Sequence, residues 1–141
     1  MEILFKILNF SVIPAWILLA LFPNNKLTKT LVLSYAWHIV LAVLYTIFIL
    51  WGMYENAGGE GGMDSLESLR IGFLNDKILL AAWAHYLIFD LFVGVWIVND
   101  AQKRNISQWR LIPILFLTLM FGPIGFLFYF FKRMTNKINL D

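Results

Sequence analysis

Cysteine is absent from the 141-residue chain. That excludes a disulfide framework, a thiol nucleophile and any cysteine-ligated metal or iron–sulfur centre. Charge is scarce as well. Asp, Glu, Lys and Arg make up 14% of the residues, against about 25% in an ordinary soluble domain. The apolar share is 60%, against about 45–50% in such a domain, and the mean hydropathy is +0.73. There is too little polar surface here to cover a water-facing globule, so a soluble enzyme, a disordered tail and a nucleic-acid-binding domain all fit poorly. The net charge is only +2 and the basic residues sit mostly at segment ends, so the isoelectric point near 9.0 is no sign of nucleic acid as a partner. P-loop, GxSxG and HExxH motifs are missing. Gly58-Gly59-Glu60-Gly61-Gly62 reads as a loop and not a phosphate cradle, because no strand precedes it and no basic residue follows closely.

What is present is a set of long apolar runs. A membrane-spanning helix needs roughly 20 apolar residues, and four of them use about 80. The runs fall at about Ile3–Phe22, Leu31–Gly52, Lys77–Val98 and Leu111–Phe131. The first is read as a retained helix and not a signal peptide: Glu2 offsets Lys6, the run is long and no small-residue cleavage site follows. Pro23-Asn24-Asn25 ends it, and Thr28 or Thr30 is positioned to cap the second. The linker from Met53 to Asp76 is polar and glycine-rich; within it Asp64–Leu74 reads either as a short amphipathic surface helix, with Leu66, Leu69 and Phe73 at helical spacing, or as a loose loop. The expectation is an all-α integral membrane four-helix bundle, a single transmembrane domain over residues 1–141, with that short helix between its second and third members. Four spans put both termini and the long linker on one side, called side A. Side A then carries Lys6, Arg70, Lys77, Lys132, Arg133 and Lys137, and side B carries Lys26, Lys29, Lys103, Arg104 and Arg110. The counts nearly balance; the short side-B loops favour side B as cytoplasmic.

At 100° per residue the third helix divides into two arcs. His85, Phe89, Trp96, Asp100, Val93, Tyr86, Ile97, Asp90, Trp83 and Gly94 share one, which is expected to face the bundle interior. Leu80, Ala84, Leu87, Ile88, Leu91, Phe92, Val95 and Val98 share the other, wholly apolar and expected to face lipid. Asp90 lies near the bilayer midplane, where a carboxylate costs at least about 2.5–3.5 kcal/mol on the lenient insertion scale. Either it locks helices, protonated or bonded to a tyrosine or histidine, or it serves function. Counting about 1.5 Å per residue, Asp90, His38, Thr118 and Trp16 fall about 20 Å from side A, and His85, Tyr45, Ser11 and Pro123 about 11–12 Å. A bis-histidine haem would need both histidines, whose depths differ by about 9 Å, so neither haem nor a two-histidine metal site is expected. In the fourth segment Pro123 removes a backbone donor, predicting a kink near Gly122-Pro123; Thr118 and Gly122 form a small-xxx-small packing step. Trp51 and Trp109 read as interface anchors, while Trp16, Trp83 and Trp96 either pack or line an apolar ligand pocket.

The run Trp83-Ala84-His85-Tyr86-Leu87-Ile88-Phe89-Asp90-Leu91-Phe92-Val93-Gly94-Val95-Trp96-Ile97, followed by Asp100-Ala101, resembles the W-x-H-Y-L-x-F-D-L-F-V-G-x-W-I…D-A signature of the neoxanthin-synthase-like family. These are small membrane proteins named for abscisic acid deficiency in plants. Pro113, Leu117-Thr118, Phe121-Gly122-Pro123-Ile124-Gly125 and Tyr129 extend the resemblance, and Asn9, Pro14, Trp16 and Pro23 fit the first helix more loosely. The resemblance covers most of the chain, but the second helix, with His38, and the glycine-rich loop match it poorly. The chain looks like a bacterial-type member without a plastid-targeting extension, so a multi-pass location in a bacterial inner membrane is expected.

Plant members are implicated in converting violaxanthin to neoxanthin, an epoxide-to-allene isomerisation. The resemblance implies chemistry or binding on a long polyene: a carotenoid, an apocarotenoid or retinal. Opening an epoxide or rotating about a polyene double bond is helped by an acid, and a carboxylic acid kept neutral by desolvation supplies one. Asp90 is the expected acid, with His85 and Tyr86 as partners. His85 lies about 140° from Asp90 round the helix, so the two must flank a ligand or act through another helix. Trp83, Phe89, Trp96, Tyr45, Thr118 and Gly122 are the expected ligand-binding residues, the tryptophans stabilising positive charge on the polyene. No cofactor and no metal is expected, and a retinal Schiff base is not, since no lysine lies inside a helix core. The partners implied are the bilayer, a lipid-soluble polyene, and either a second copy of the chain or pathway enzymes. Two functions stay open: a membrane-embedded polyene isomerase, and a non-catalytic carotenoid- or retinoid-binding or pathway-assembly protein.

Overall fold

A computed structural model describes residues 1–56, 59 and 61–135; Gly58 and Glu60 of the glycine-rich loop and the tail from 136, with Lys137, lie outside the described residues. The elements are α1 (Glu2–Leu21), α2 (Lys26–Thr28) running into a π-helical turn (Lys29–Leu33), α3 (Ala36–Glu55), α4 (Leu66–Gly72), α5 (Asp76–Lys103), α6 (Gln108–Phe121) and α7 (Pro123–Thr135). Among the described residues, three helical stretches are long and apolar enough to cross a membrane: Glu2–Leu21, Lys26–Glu55 and Asp76–Lys103.

Local chemistry sets the ends. Asn25, and not Thr28 or Thr30, caps the start of the second stretch, its side chain accepting from the Leu27 N–H at 2.9 Å. That stretch is not one continuous helix. Ser34 leaves helical geometry and Tyr35 takes a left-handed φ of 64° before α3 begins. The short helix in the linker is real, as α4, with the Ser65 hydroxyl accepting from the Ser68 N–H at 3.1 Å. Asn75 caps α5 with two such bonds. At the other end Asn105 is left-handed with φ 53° and the Ile106 N–H returns to the Ala101 carbonyl at 2.9 Å, a closed C-terminus.

The fourth segment departs from the expected spanning helix. α6 has 14 residues and α7 has 13, so each is about 20 Å long, too short to cross a hydrocarbon core of about 30 Å. Gly122, at φ 26° and ψ −82°, separates them, a conformation open to glycine alone. The expected kink is a reversal. The Gln108 amide bonds the Leu19 and Ala20 carbonyls at 3.1 and 2.7 Å, fixing the start of α6 at the side-B end of α1. The Tyr86 hydroxyl donates to the Met120 carbonyl at 3.1 Å, so the end of α6 reaches the middle of α5. α7 then runs back: Trp96 meets Phe126 and Tyr129, with ring centroids 5.6 Å apart in each case, and Tyr129 bonds Asp100 at 2.7 Å. α6 and α7 therefore form a re-entrant hairpin that enters from side B, turns at mid-depth and returns to side B. In place of the expected four long helices, the described residues form three stretches long and apolar enough to span and one hairpin, and the end of α7 lies at the end of the molecule opposite Met1.

α5 is the central helix, and its two arcs are corrected too. Leu80, Ala84, Leu87, Leu91, Val95 and Val98, assigned to lipid from the sequence, are buried, and only Phe92 of that arc is exposed; of the arc assigned to the interior, Asp90, Gly94 and Ile97 are buried but His85 and Phe89 are exposed. The reason is that lipid tails are as apolar as leucine, so apolarity does not tell a lipid-facing surface from a helix-facing one. Small residues do. Ala81, Ala84, Gly94 and Ala101 are fully or largely buried, and a Cβ at Gly94 would stand 2.8 Å from the Trp16 ring, so α1 approaches α5 through that glycine.

Candidate functional site

The hairpin tip rests on Asp90. This side chain is 7% exposed, and its Oδ2 atom is buried with no hydrogen-bond partner among the described residues. A Cβ placed on Gly122 would collide with the Asp90 carboxylate, so only a glycine lets the chain turn there. Pro123, whose missing N–H costs nothing at a first helical position, opens α7. The N-terminal end of α7, the positive end of its dipole, therefore lies next to the carboxylate. Half-helices ending at an ionisable group near the midplane are a recurrent way to build a site inside a membrane.

Tyr86 is the polar neighbour of Asp90 one helical turn below it, and the two side chains interact. Below Tyr86 lies Trp83, stacked on it with centroids 5.2 Å apart and planes at 26°. The indole N–H of Trp83 donates to Asn9 at 2.8 Å, and its ring meets Phe5 at 5.7 Å. Leu79, Trp83, Tyr86 and Asp90 follow the i, i+4, i+7, i+11 spacing of a single helix face. Because the hairpin stops at Gly122, the side-A half of this face is not covered by it. A groove of about 480 Å³ lies there between α1 and α5, lined by Phe5, Leu79, Leu80 and Trp83 with Met1, Glu2 and Asp76 at its mouth. An aromatic stripe thus leads from that groove up to the buried carboxylate.

The other expected site residues are dispersed. His85 is exposed on the far face of α5, its ring 4.5 Å from Phe89 and 5.8 Å from Tyr45; the structure does not bring these three to Asp90. Trp96 lies under α7, with the Arg133 guanidinium 5.2 Å above its ring. Thr118 is fully buried inside the hairpin, donating to Ile114 at 2.8 Å and pressed against Gly125. Of the two expected residues in the fourth segment, Gly122 lies at the carboxylate and Thr118 packs on Gly125. Asn9, Phe5 and Met120 were not anticipated. The lone amide of Asn9 in an apolar run was the available signal for the first; nothing in the sequence marked the Met120 carbonyl.

At side B a second polar cluster ties the hairpin down. Asp100 Oδ2 accepts from the Tyr129 hydroxyl at 2.7 Å and from Arg104 Nε at 2.7 Å, with Arg133 Nε at 3.6 Å. Asp100 so acts as an anchor for α7 and not as a member of the Asp90 group. Among the described residues no cluster of three or more His, Asp or Glu side chains is arranged to hold a metal ion.

No match to the chain was found among curated proteins or among solved structures. A protein-family model does match, over residues 3–129, which takes in α1, the second spanning stretch, α5, the hairpin tip and Tyr129. The chain belongs to the ABA DEFICIENT 4-like family.

Proposed function

We propose that the protein is a membrane-embedded isomerase of a carotenoid, apocarotenoid or retinal-like polyene, with Asp90 as its proton donor. The observation that carries this reading is the buried, unpartnered Asp90 oxygen under the hairpin tip, at the head of the Trp83–Tyr86 stack. Family membership supports the substrate class. A lone carboxylate at this depth is costly, whereas a carboxyl group that lends a proton and takes it back has a use for its free oxygen.

The polyene enters the groove between α1 and α5 from lipid and lies along Trp83 and Tyr86. Asp90 transfers its proton to the conjugated system. The positive charge that spreads along the polyene weakens its double bonds, so that rotation about one of them becomes easy, and the Trp83 face stabilises that charge. Meanwhile the first turn of α7 faces the carboxylate left behind. The proton then returns to Asp90, so the isomer leaves with no net gain or loss of atoms or electrons. Tyr86, whose hydroxyl is held by the Met120 carbonyl, positions the carboxyl group. His85, on the far face, has no part in this step.

A second reading, a non-catalytic polyene-holding or pathway-assembly protein, is favoured by one observation: the Tyr86 hydroxyl is already committed to a backbone carbonyl. One experiment separates the two. Purified protein is incubated with an all-trans polyene and the isomers are resolved by chromatography, beside the Asp90→Asn variant. Turnover by the wild type and its loss in a well-folded Asp90→Asn protein supports the isomerase; stoichiometric binding without turnover supports the holding protein. Full activity in Asp90→Asn removes Asp90 from the mechanism.

The corrected topology also orients the chain. Among the described residues side A now carries Lys6, Arg70 and Lys77, and side B carries Lys26, Lys29, Lys103, Arg104, Arg110, Lys132 and Arg133. By the positive-inside rule the open end of the hairpin faces the cytoplasm and the groove opens toward the opposite leaflet.

A further inference from the structure

Away from Asp90, a second buried ionisable residue has no role in the step above. His38 is 6% exposed, and neither ring nitrogen has a hydrogen-bond partner among the described residues. The Leu91 backbone lies alongside the imidazole without closing a hydrogen bond on it. An imidazole always carries polar capacity on both nitrogens, and leaving both unmade in an apolar site is costly. The chain is irregular just before it: a π-helical turn over Lys29–Leu33, then Tyr35 at φ 64°, a region that bulky residues rarely enter. Irregular backbone at membrane depth is found where it is buried in protein or lines a cavity, and π-turns gather at functional positions. The Tyr35 ring stands edge-on to His38, centroids 5.2 Å apart.

From His38 a line of rings descends the outer face of α5. Phe92 is 6.3 Å from His38, Phe89 is 6.5 Å from Phe92 and His85 is 4.5 Å from Phe89, with Tyr45 beyond it. Phe92 and Phe89 are 46% and 55% exposed. Between His85 and Phe92 the line covers about 10 Å of helix. It is a line of partly exposed rings with an unsatisfied imidazole at its head.

We propose that this face is a second polyene site, separate from the Asp90 groove, and that its occupant carries an oxygen end group, a hydroxyl or a carbonyl. The rings hold the conjugated chain. Movement of the adjacent Tyr35 ring gives the oxygen access to His38, which takes it in a hydrogen bond. The polyene class rests on the functional reading above; the polar end group and its receptor are what this face adds. A ligand whose oxygen satisfies the imidazole is preferred over its hydrocarbon counterpart by about tenfold, the yield of one hydrogen bond in an apolar site.

The test titrates the purified protein in detergent with β-carotene and with its dihydroxylated counterpart zeaxanthin, following quenching of tryptophan fluorescence. His38→Phe, His38→Gln and Asp90→Asn are titrated in parallel. The expected result is a preference of about tenfold for zeaxanthin in the wild type and in Asp90→Asn. His38→Phe should bind both alike, and His38→Gln, which keeps a donor and an acceptor, should retain part of the preference and show that the fold tolerates change there. Binding of both polyenes with no preference in the wild type, or a preference that survives His38→Phe, overturns the second site and leaves the functional reading standing. Binding of neither polyene overturns both.

Discussion

Replacing Gly122 by alanine tests the hairpin tip at its tightest point. Two separate costs arise. The backbone is held at φ 26° and ψ −82°, and forcing a side-chain-bearing residue into such a region costs about 1–3 kcal/mol. The new methyl also collides with the Asp90 carboxylate, an overpacking of the kind that costs about 1–3 kcal/mol. Gly122→Ala alone should therefore destabilise by about 2–6 kcal/mol. In an Asp90→Ala background the collision disappears and only the backbone cost remains, so the same substitution should cost about 1–3 kcal/mol. The difference is a coupling between the two positions, read from a double-mutant cycle on unfolding in mixed detergent micelles. A straight or merely kinked fourth helix gives these two residues no such overlap. Additive costs, with no coupling beyond about 0.5 kcal/mol, would refute the placement of Gly122 on Asp90.

Two further substitutions examine the packing around α5. Gly94→Leu drives a side chain into the Trp16 ring and should cost about 1–3 kcal/mol in the same unfolding assay, recovered in part by Trp16→Ala; a neutral Gly94→Leu would deny the close approach of α1. Tyr129→Phe removes the buried hydroxyl that donates to Asp100 at 2.7 Å and should cost about 1.5–3 kcal/mol as a bond to a charged group; an unchanged stability would show that α7 is not anchored at side B.

The sequence located the three long apolar stretches because runs of sufficient length are visible in any window, and it offered α4 as one of two readings of the linker because Leu66, Leu69 and Phe73 recur at helical spacing; the Ser65 cap that decides between them shows only in the structure. It put the break in the fourth segment at the correct dipeptide, yet took it for a kink. Leu111–Phe131 is long enough to span, and hydropathy is blind to direction: nothing in a count of apolar residues registers that Gly122 turns the chain back. The clue was complementary and distant. Asp100, Tyr129 and Arg133 can meet only if α7 returns to side B. Asp90 stands out in the sequence as a carboxylate in an apolar run, and the structure buries it, but the angle that places His85 on an interior arc misleads, because a helix surrounded on several sides has no simple interior arc. In the sequence His38 has no evident role, because its depth differs from that of His85 and the second helix matches the family signature poorly. Its missing hydrogen bonds come from the packing of α3 against Leu91 and Phe92, which a sequence does not display.

The re-entrant hairpin is the claim on which the site depends, and the absence of native cysteine makes it directly measurable. Single cysteines at Asn24, Met63 and Thr135 report one side B turn, the side A loop and the end of α7, and an impermeant maleimide is applied to intact cells and again after permeabilisation. The account predicts that Met63→Cys is labelled from outside while Asn24→Cys and Thr135→Cys are both protected until the membrane is opened. Labelling of Thr135→Cys together with Met63→Cys would mean that the fourth segment crosses the bilayer, and Gly122 would no longer be held at the carboxylate of Asp90.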